Sequence, residues 1–305
     1  MGLKDFTIRV STFEEDLPKA QFRRRAAAYA VSTALHKALD VTRMECAEIA
    51  AAATEAAAGG VSGVTPTASV RALSSFSDED NSGRGGGNGG SGGKDSLLAL
   101  PPSLLALPDL VVSADTVVES PAGDILEKPE SDAHHAQMLR ALSGAAHRVH
   151  TGVALVLPRP AEAAVEALRR RQPQEQQAVP GEGLTGPCLH ETRLTPEGWV
   201  VRSFAVTTRV RFAPLSDAAI DAYVRSGDGA GKAGGYGIQG RASAFVEELC
   251  GDYFSVVGFP LHSFSAEVCA LIEQRALDLY PGLGGGGGGG ELAAVAAAAA
   301  AKRGV

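Results

Sequence analysis

Cysteine is scarce in this sequence, and its few cysteines show no pairing pattern. The 305 residues contain four cysteines, none of them in a C-x-x-C pair, namely Cys46, Cys188, Cys250 and Cys269. Because structural zinc sites and thiol redox motifs need such closely spaced pairs, the sequence signals neither. We therefore expect a reduced, cytosolic protein.

Long apolar segments are also missing. The sequence has no run of about 20 apolar residues, the length that a helix needs to span a bilayer. Its first 19 residues, MGLKDFTIRVSTFEEDLPK, have no apolar core of the kind found in secretory signals. We expect a soluble, cytoplasmic protein with no membrane partner.

An excess of positive charge is the third absence. Lys and Arg total 28 against 35 Asp and Glu, so the net charge is -7. Because binding to a nucleic-acid polymer depends on basic surfaces, this balance argues against such a partner. A polyphosphate remains a candidate ligand, provided that local lysines or a divalent metal offset the acidic charge.

Glycine, in contrast, is abundant and clustered. The 37 glycines concentrate in stretches that look unlike a packed domain. Gly-rich segments bury too little apolar area to offset the entropy lost on ordering. We predict one domain over residues 1–283, interrupted by insertions at about 47–108 and 158–198. A glycine-dense stretch, SGDGAGKAGG, lies within the domain, and a Gly/Ala-rich tail occupies 284–305.

The remaining residues alternate between helical and strand periodicity. Apolar residues recur at 3.6-residue spacing where we predict helices and alternate with polar ones in a predicted half-buried strand. Ser131 or Asp132 and Ser216 are expected N-caps. The predicted helices are 23–41, about 132–142 and about 217–226. The predicted strands are 109–114, 147–157, 203–212 and the short segment 250–261. This alternation predicts an α/β fold.

Two charged residues stand out against apolar surroundings. Asp115 ends the apolar run of 109–114, where a carboxylate at a strand end can hold a hard metal or deprotonate a water. An Asp that merely opens a turn is the alternative. Lys37 falls inside the apolar stripe of its predicted helix, so it must either extend to solvent or meet an anion.

Two further clusters carry charge. Glu14, Glu15 and Asp16 form an acidic group that is either a solvated surface or a source of metal ligands. The segment Glu127-Lys128-Pro129 precedes a predicted helix, where Lys128 and the helix dipole would together favour a phosphate. An ordinary N-terminal turn is the alternative.

The glycine-dense region contains apparent nucleotide motifs that fail on context. Gly229 to Gly234 match G-x-G-x-x-G, but a helix precedes them where a dinucleotide fingerprint needs a strand. The same region has the wrong spacing for a P-loop. What remains is a flexible loop, KAGGYGIQG, in which Gln239 is suited to reading the edge of a base. No G-x-S-x-G nucleophile motif is present. The candidate lysines, acidic residues and amide together therefore favour metal-dependent chemistry at a phosphate over acyl transfer.

Ordered blocks of the sequence resemble the Maf family. They cover residues 2–46 and 109–264 apart from the insertions: STFEEDLP followed by ALHKALDV, then SADTVV, ILEKP, MLRALSGAAHRVHTGVALV, VRFAPLSDAAIDAYV, KAGGYGIQG and GDYFSVVGFPL. The resemblance implies a Maf/ITPase-like fold with a mixed sheet flanked by helices.

The resemblance also implies an activity. Maf proteins are nucleoside triphosphate pyrophosphatases, hydrolases that release pyrophosphate and a nucleoside monophosphate, and they use Mg²⁺ or another divalent cation such as Mn²⁺. Asp115 matches the family's proton acceptor, and Glu15 matches an acidic residue that joins it at the metal. The positions matching the substrate-binding set are Lys37, Lys128, Lys232, Thr116 and Gln239. The Asp-Thr pair and the YGIQ segment look like the branch that prefers dTTP and UTP, and a homodimer is a further implication.

This sequence departs from the family pattern in two places. The usual N-terminal S-x-S-P-R-R segment is lacking, and Gly231 stands where the family has Asp before Lys232. Two classes of function therefore stay open: an active pyrophosphatase, or a truncated or degenerate relative that binds nucleotides or regulates without catalysis. A weaker alternative is that 284–305 leads to a partner or a further domain.

Overall fold

The computed structural model describes residues 7–15, 17–58, 69–72, 108–158 and 190–273. The predicted tail at 284–305 and Cys188 lie outside these residues. Among the described residues, no helix is both long and apolar enough to cross a membrane.

Five helices and seven strands make up the described fold. In chain order they are α1 (Ala26–Ala58), β1 (Ser69–Ala72), β2 (Pro108–Glu119), β3 (Ile125–Leu126), α2 (Asp132–Leu142), β4 (Ala146–Leu157), β5 (Glu191–Leu194), β6 (Val200–Phe212), α3 (Asp217–Ser226), β7 (Val246–Cys250), α4 (Tyr253–Val257) and α5 (Leu261–Glu273). Three short 3₁₀ turns supplement them, at Lys19–Phe22, Ala233–Gly235 and Arg241–Phe245.

All seven strands belong to one mixed sheet. Its main order is β1-β2-β4-β6-β5, with β3 beside β2 and β7 beside β6. Strand β1 runs parallel to β2, and every other pairing is antiparallel. The predicted α/β class with a mixed sheet is therefore confirmed.

Helices cover both faces of the sheet. Successive strand residues point to opposite faces, so Val111 and Ala154 pack against α1 while Leu110 and Val153 pack in the cluster that holds Phe264 of α5. Helices α2 and α3 cover the other end of that second face, in a core that includes the residues Leu139, Phe212 and Ile220. The result is three layers, in which α1 is the helix on one side among the described residues.

The small side chains of α1 let the helix approach the sheet closely. Ala30, Ala34 and Ala38 are completely buried, as the 3.6-residue spacing predicts. Gly152 of β4 lies opposite them, and a Cβ atom there would overlap the backbone of Ala30 and Val31. The alanine stripe and this glycine therefore set the distance between α1 and the sheet.

Different strands pair with the two ends of β2 on its outer side. Pairing with β1 ends at Val112, and pairing with β3 begins at Val118. Along residues 113–117, β4 pairs with the inner side of the strand.

Two predicted strand boundaries were wrong. Strand β2 does not end at Asp115 but continues to Glu119, because β4 pairs with it throughout and Lys37 neutralises the carboxylate. Most of the segment 250–261 is not strand: Asp252 accepts hydrogen bonds from the amides of Phe254 and Ser255 and so caps helix α4.

The predicted low-complexity stretches also contain regular structure. Helix α1 continues through the alanine-rich run to Ala58, because alanine has the highest helix propensity. Strands β1 and β5 fall inside the two predicted insertions. The glycine-dense stretch is packed rather than linker-like: Gly234 contacts Val118 so closely that a Cβ atom would not fit there.

The approach of α1 to Gly152 can be tested by adding one methyl group. We expect Gly152→Ala to lower the free energy of unfolding by about 3 kcal/mol or more, since overpacking against backbone is relieved only by moving the helix. Chemical denaturation followed by circular dichroism measures this loss.

Gly198→Ala is the matched control. Gly198 has a positive φ of 84°, and no atom lies within 4 Å of the position that an added methyl group would take. Its substitution should therefore cost only the backbone strain, about 1–2 kcal/mol. Equal losses for the two variants would contradict the close-packing account.

Candidate active site

One cavity, beside β2, is lined by all seven predicted site residues. Its volume is about 220 Å³. The predicted residues that line it are Glu15, Lys37, Asp115, Thr116, Lys128, Lys232 and Gln239. These positions span more than two hundred residues of sequence, so only the fold brings them together.

The centre of the cavity is a lysine held between two carboxylates. Lys37 Nζ lies 2.6 Å from Glu15 Oε1 and 2.9 Å from Asp115 Oδ1. Lys37 is 7% exposed and Asp115 is 8% exposed. Of the two alternatives for Lys37, the structure therefore supports contact with anions rather than extension to solvent.

Burial shifts the pKa values of Asp115 and Lys37. The pKa of Asp115 is raised to about 6. Burial is the main cause, the charges of Glu15 and Glu127 add to it, and the charge of Lys37 opposes it. Burial lowers the pKa of Lys37, but Asp115 and Glu15 outweigh burial and the pKa is raised. At neutral pH the lysine is charged and Asp115 is mostly ionised, although it gains a proton far more readily than an exposed Asp.

A second carboxylate fixes the segment that carries Glu15. Asp40, one turn after Lys37 on α1, accepts hydrogen bonds from Ser11 Oγ at 2.8 Å and from the backbone amide of Thr12 at 2.7 Å. Burial raises the pKa of Asp40, but these bonds outweigh burial and hold the pKa below its usual range. The ring of Phe13 stacks on His36. Helix α1 therefore positions both Lys37 and its partner Glu15.

Glu127 joins three parts of the cavity wall. Its carboxylate accepts a hydrogen bond of 2.5 Å from the hydroxyl of Tyr29 on α1 and pairs with Lys19. Its backbone carbonyl accepts from the amide of Gly234 in the glycine-dense loop. Burial and the Glu127 carboxylate raise the pKa of Tyr29 well above its usual range, so the phenol stays protonated and donates. This residue therefore fixes the position of its neighbour Lys128.

The remaining predicted residues lie around the mouth of the cavity. Lys128 is exposed between β3 and α2. Lys232 is also exposed, and its Nζ donates to the backbone carbonyl of Asp228 at 2.6 Å. The side chain of Asp228 accepts from the amide of Arg241 at 2.8 Å, which closes the loop that presents Gln239. Both lysines are placed to meet an anion entering from solvent.

Some residues of the site were not found from the sequence. The sequence patterns assign no role to Tyr29, Asp40 or Glu127, although Glu127 lies in the segment Glu127-Lys128-Pro129. Asp40 lies three positions after Lys37, a spacing that places both on neighbouring parts of one helix surface. For Tyr29 the only available signal was a large polar aromatic residue within an alanine stripe.

The donor set is compatible with a divalent metal. Glu15 and Asp115 lie close together, since the Lys37 ammonium contacts one oxygen of each. No group of three or more potential His, Cys, Asp or Glu ligands occurs in the described ranges. Magnesium commonly uses one or two carboxylates and completes its shell with water and substrate phosphates, so two carboxylates fit it.

Comparison with known proteins identifies the family. The Maf-like protein family matches residues 1–179 and 156–271 of this chain. The chain belongs to the Maf family. This agrees with the resemblance carried by the SADT, EKP and YGIQ segments, whose residues meet in the cavity.

Similar proteins come from several kinds of organism. The chain is 32% identical over 176 residues to the dTTP/UTP pyrophosphatase of Schizosaccharomyces pombe, covering 57% of this chain and 59% of that protein. It is 38% identical over 151 residues to that of Thermococcus onnurineus, covering 50% and 60%. It is 40% identical over 153 residues to that of Salinibacter ruber, covering 50% and 56%. The matched part thus spans somewhat over half the length of these relatives.

The shifted carboxyl group can be measured without any substrate. We expect the Asp115 carboxyl carbon to titrate by NMR with a pKa of about 6 in buffer containing EDTA. Lys37→Met should raise that pKa further, because the lysine charge favours the ionised form. Arg43→Met, which removes a surface charge paired with Glu197, is the control and should leave it unchanged. A pKa near 4 in the unmodified protein would contradict the buried geometry.

The role of Asp40 as an anchor predicts a local effect. Asp40→Ala should destabilise the protein by about 1–3 kcal/mol, the usual loss for hydrogen bonds to a charged group. Hydrogen exchange should become faster in residues 7–15 while the β4 amides keep their protection.

Asp221→Ala provides the comparison, since Asp221 is exposed on α3. It should change neither the stability nor the exchange of residues 7–15. Unchanged exchange in Asp40→Ala would show that other contacts hold the Glu15 segment.

Proposed function

We propose that this Maf protein is a nucleoside triphosphate pyrophosphatase that acts on dTTP and UTP. The observation that carries the proposal is the cavity itself, which brings the acids Asp115 and Glu15 to one place with three lysines. The names of the similar proteins support the same activity and the same substrates.

In the proposed reaction, Asp115 is the general base. Lys37 engages its Oδ1, so we assign the attacking water to Oδ2. The water oxygen bonds to the α-phosphorus, its proton passes to Asp115, and the bond to the β-phosphate oxygen breaks to release pyrophosphate. A base whose pKa is about 6 is ionised at neutral pH and still accepts a proton readily.

The other residues act on charge and position. Lys128 and Lys232 meet the phosphates as they enter, and Lys37 stabilises charge next to the reacting phosphorus. Glu15 and Asp115 would hold a divalent cation, Mg²⁺ or Mn²⁺, which supplies neutralisation of the triphosphate charge when bound. Thr116 and Gln239 face the remaining part of the ligand, where we place the base.

The test is pyrophosphate release from a panel of nucleoside triphosphates in the presence of Mg²⁺. Release from dTTP and UTP is expected, and Asp115→Asn should reduce kcat by at least about 10²-fold because it removes the proton acceptor. Release of inorganic phosphate in place of pyrophosphate would contradict attack at the α-phosphorus.

Asp221→Asn is the matched control, the same change at an exposed position on α3, and it should keep full activity. Tight nucleotide binding with no product from the unmodified chain would favour the non-catalytic alternative, in which the protein binds nucleotides without hydrolysing them.

A further inference from the structure

Two threonines and a backbone carbonyl form a hydrogen-bonded chain beside the cavity. Thr116 of β2 and Thr151 of β4 are cross-strand neighbours, and their hydroxyl oxygens are 2.9 Å apart. Thr151 Oγ1 also lies 2.7 Å from the backbone oxygen of Ser255 in α4 and donates to it. Thr151 is completely buried, as is Ser255.

The direction of this chain follows from counting hydrogens. A carbonyl oxygen can only accept, and a hydroxyl group has one hydrogen to donate. Thr151 gives its hydrogen to Ser255, so the hydrogen between the two threonines must come from Thr116. Thr116 Oγ1 therefore has no hydrogen left for a ligand and presents only lone pairs to the cavity.

The position of Ser255 is itself well fixed. Its hydroxyl donates to the carbonyl of Val206 at 3.3 Å, and the Asp252 backbone exchanges two hydrogen bonds of 2.9 Å with Thr208 Oγ1. Helix α4 is thereby tied to β6 at its first turn. The acceptor that orders the threonine chain does not depend on the ligand.

Thr116 and the ion group of Lys37 and Asp115 lie on opposite faces of the sheet. On the Thr116 face, the cross-strand neighbours Val118 and Val149 also line the cavity, and Val256 packs against the same apolar cluster. A triphosphate suits the buried charges, and a flat base suits the valines. The base is then the part of a nucleotide that meets Thr116.

We propose that Thr151 is a positioning residue for base selection. By fixing Thr116 as a hydrogen-bond acceptor, it favours uracil or thymine, whose N3–H is the only donor on the base ring of the nucleotide. Cytosine has a bare acceptor at N3 and offers a donor only at its exocyclic amino group, one ring atom away. The selection rests on the proposed function for its ligand class, but it is a property of binding and not of hydrolysis.

The experiment compares binding of α,β-methylene analogues of UTP and CTP, which cannot be cleaved between those phosphates, in the presence of Mg²⁺. The unmodified protein should bind the uridine analogue more tightly. Thr151→Val, which is nearly isosteric, frees the Thr116 hydrogen to point at the ligand. The ratio of the two dissociation constants should then fall by about tenfold, the worth of one hydrogen bond in this setting.

Two controls separate this effect from a loss of structure. Thr151→Ser keeps the hydroxyl and should keep the ratio. Thr42→Val deletes a different, completely buried threonine hydroxyl, one that donates to the carbonyl of Ala38 at 2.7 Å inside α1. It should lower Tm without changing the ratio.

Each outcome bears on one proposal at a time. Equal binding of the two analogues by the unmodified protein, or a ratio that survives Thr151→Val, would overturn the inference even where pyrophosphate release from UTP is observed. A uridine preference that Thr151→Val removes would support it even if no pyrophosphate is released, in which case only the proposed activity fails. If Thr151→Val does not fold, Thr116→Val at a half-buried position must remove the same preference.

Discussion

The site depends on a buried lysine that is shared by two carboxylates. Lys37 or Asp115 would be costly to bury alone, and removing one partner of a buried pair typically costs about 3–5 kcal/mol. The two are compatible with burial because each neutralises part of the charge of the other, and the more exposed Glu15 is a second anionic partner of Lys37. The interaction joins the N-terminal segment, α1 and β2. The geometry of the site and the packing of these elements therefore depend on each other.

That ion pair is possible only because α1 lies so close to the sheet. Larger residues in place of the alanine stripe, or a side chain at Gly152, would move the helix axis outward and carry the Lys37 ammonium away from β2. The hydrogen bonds of Asp40 then bring the segment of Glu15 to the same helix. The small residues between α1 and the sheet thus determine where the Lys37 ammonium lies, although they take no part in its ion pairs.

Much of this was predictable from the sequence, and the failures have physical reasons. The alanine stripe located the buried face of α1 and marked Lys37 as anomalous, and alternation located β6. Local patterns did not show that β2 continues past Asp115, because the compensating charge lies 78 residues away in sequence. Composition also predicted flexibility for the loop from Ser226 to Gly235, in which Gly229, Gly234 and Gly235 are closely packed. Glu127 was missed as a junction, since its partners come from separate elements.

Strand alternation explains how adjacent residues can serve different parts of one cavity. Asp115 and Thr116 point to opposite faces of the sheet, as neighbours in a strand must. Both nevertheless line the same cavity, which therefore contacts both faces of the sheet at β2. This contact lies between Val112, where the pairing with β1 ends, and Val118, where the pairing with β3 begins. The proposed base-selecting threonine and the proposed general base can therefore be adjacent in sequence and still meet different parts of one ligand.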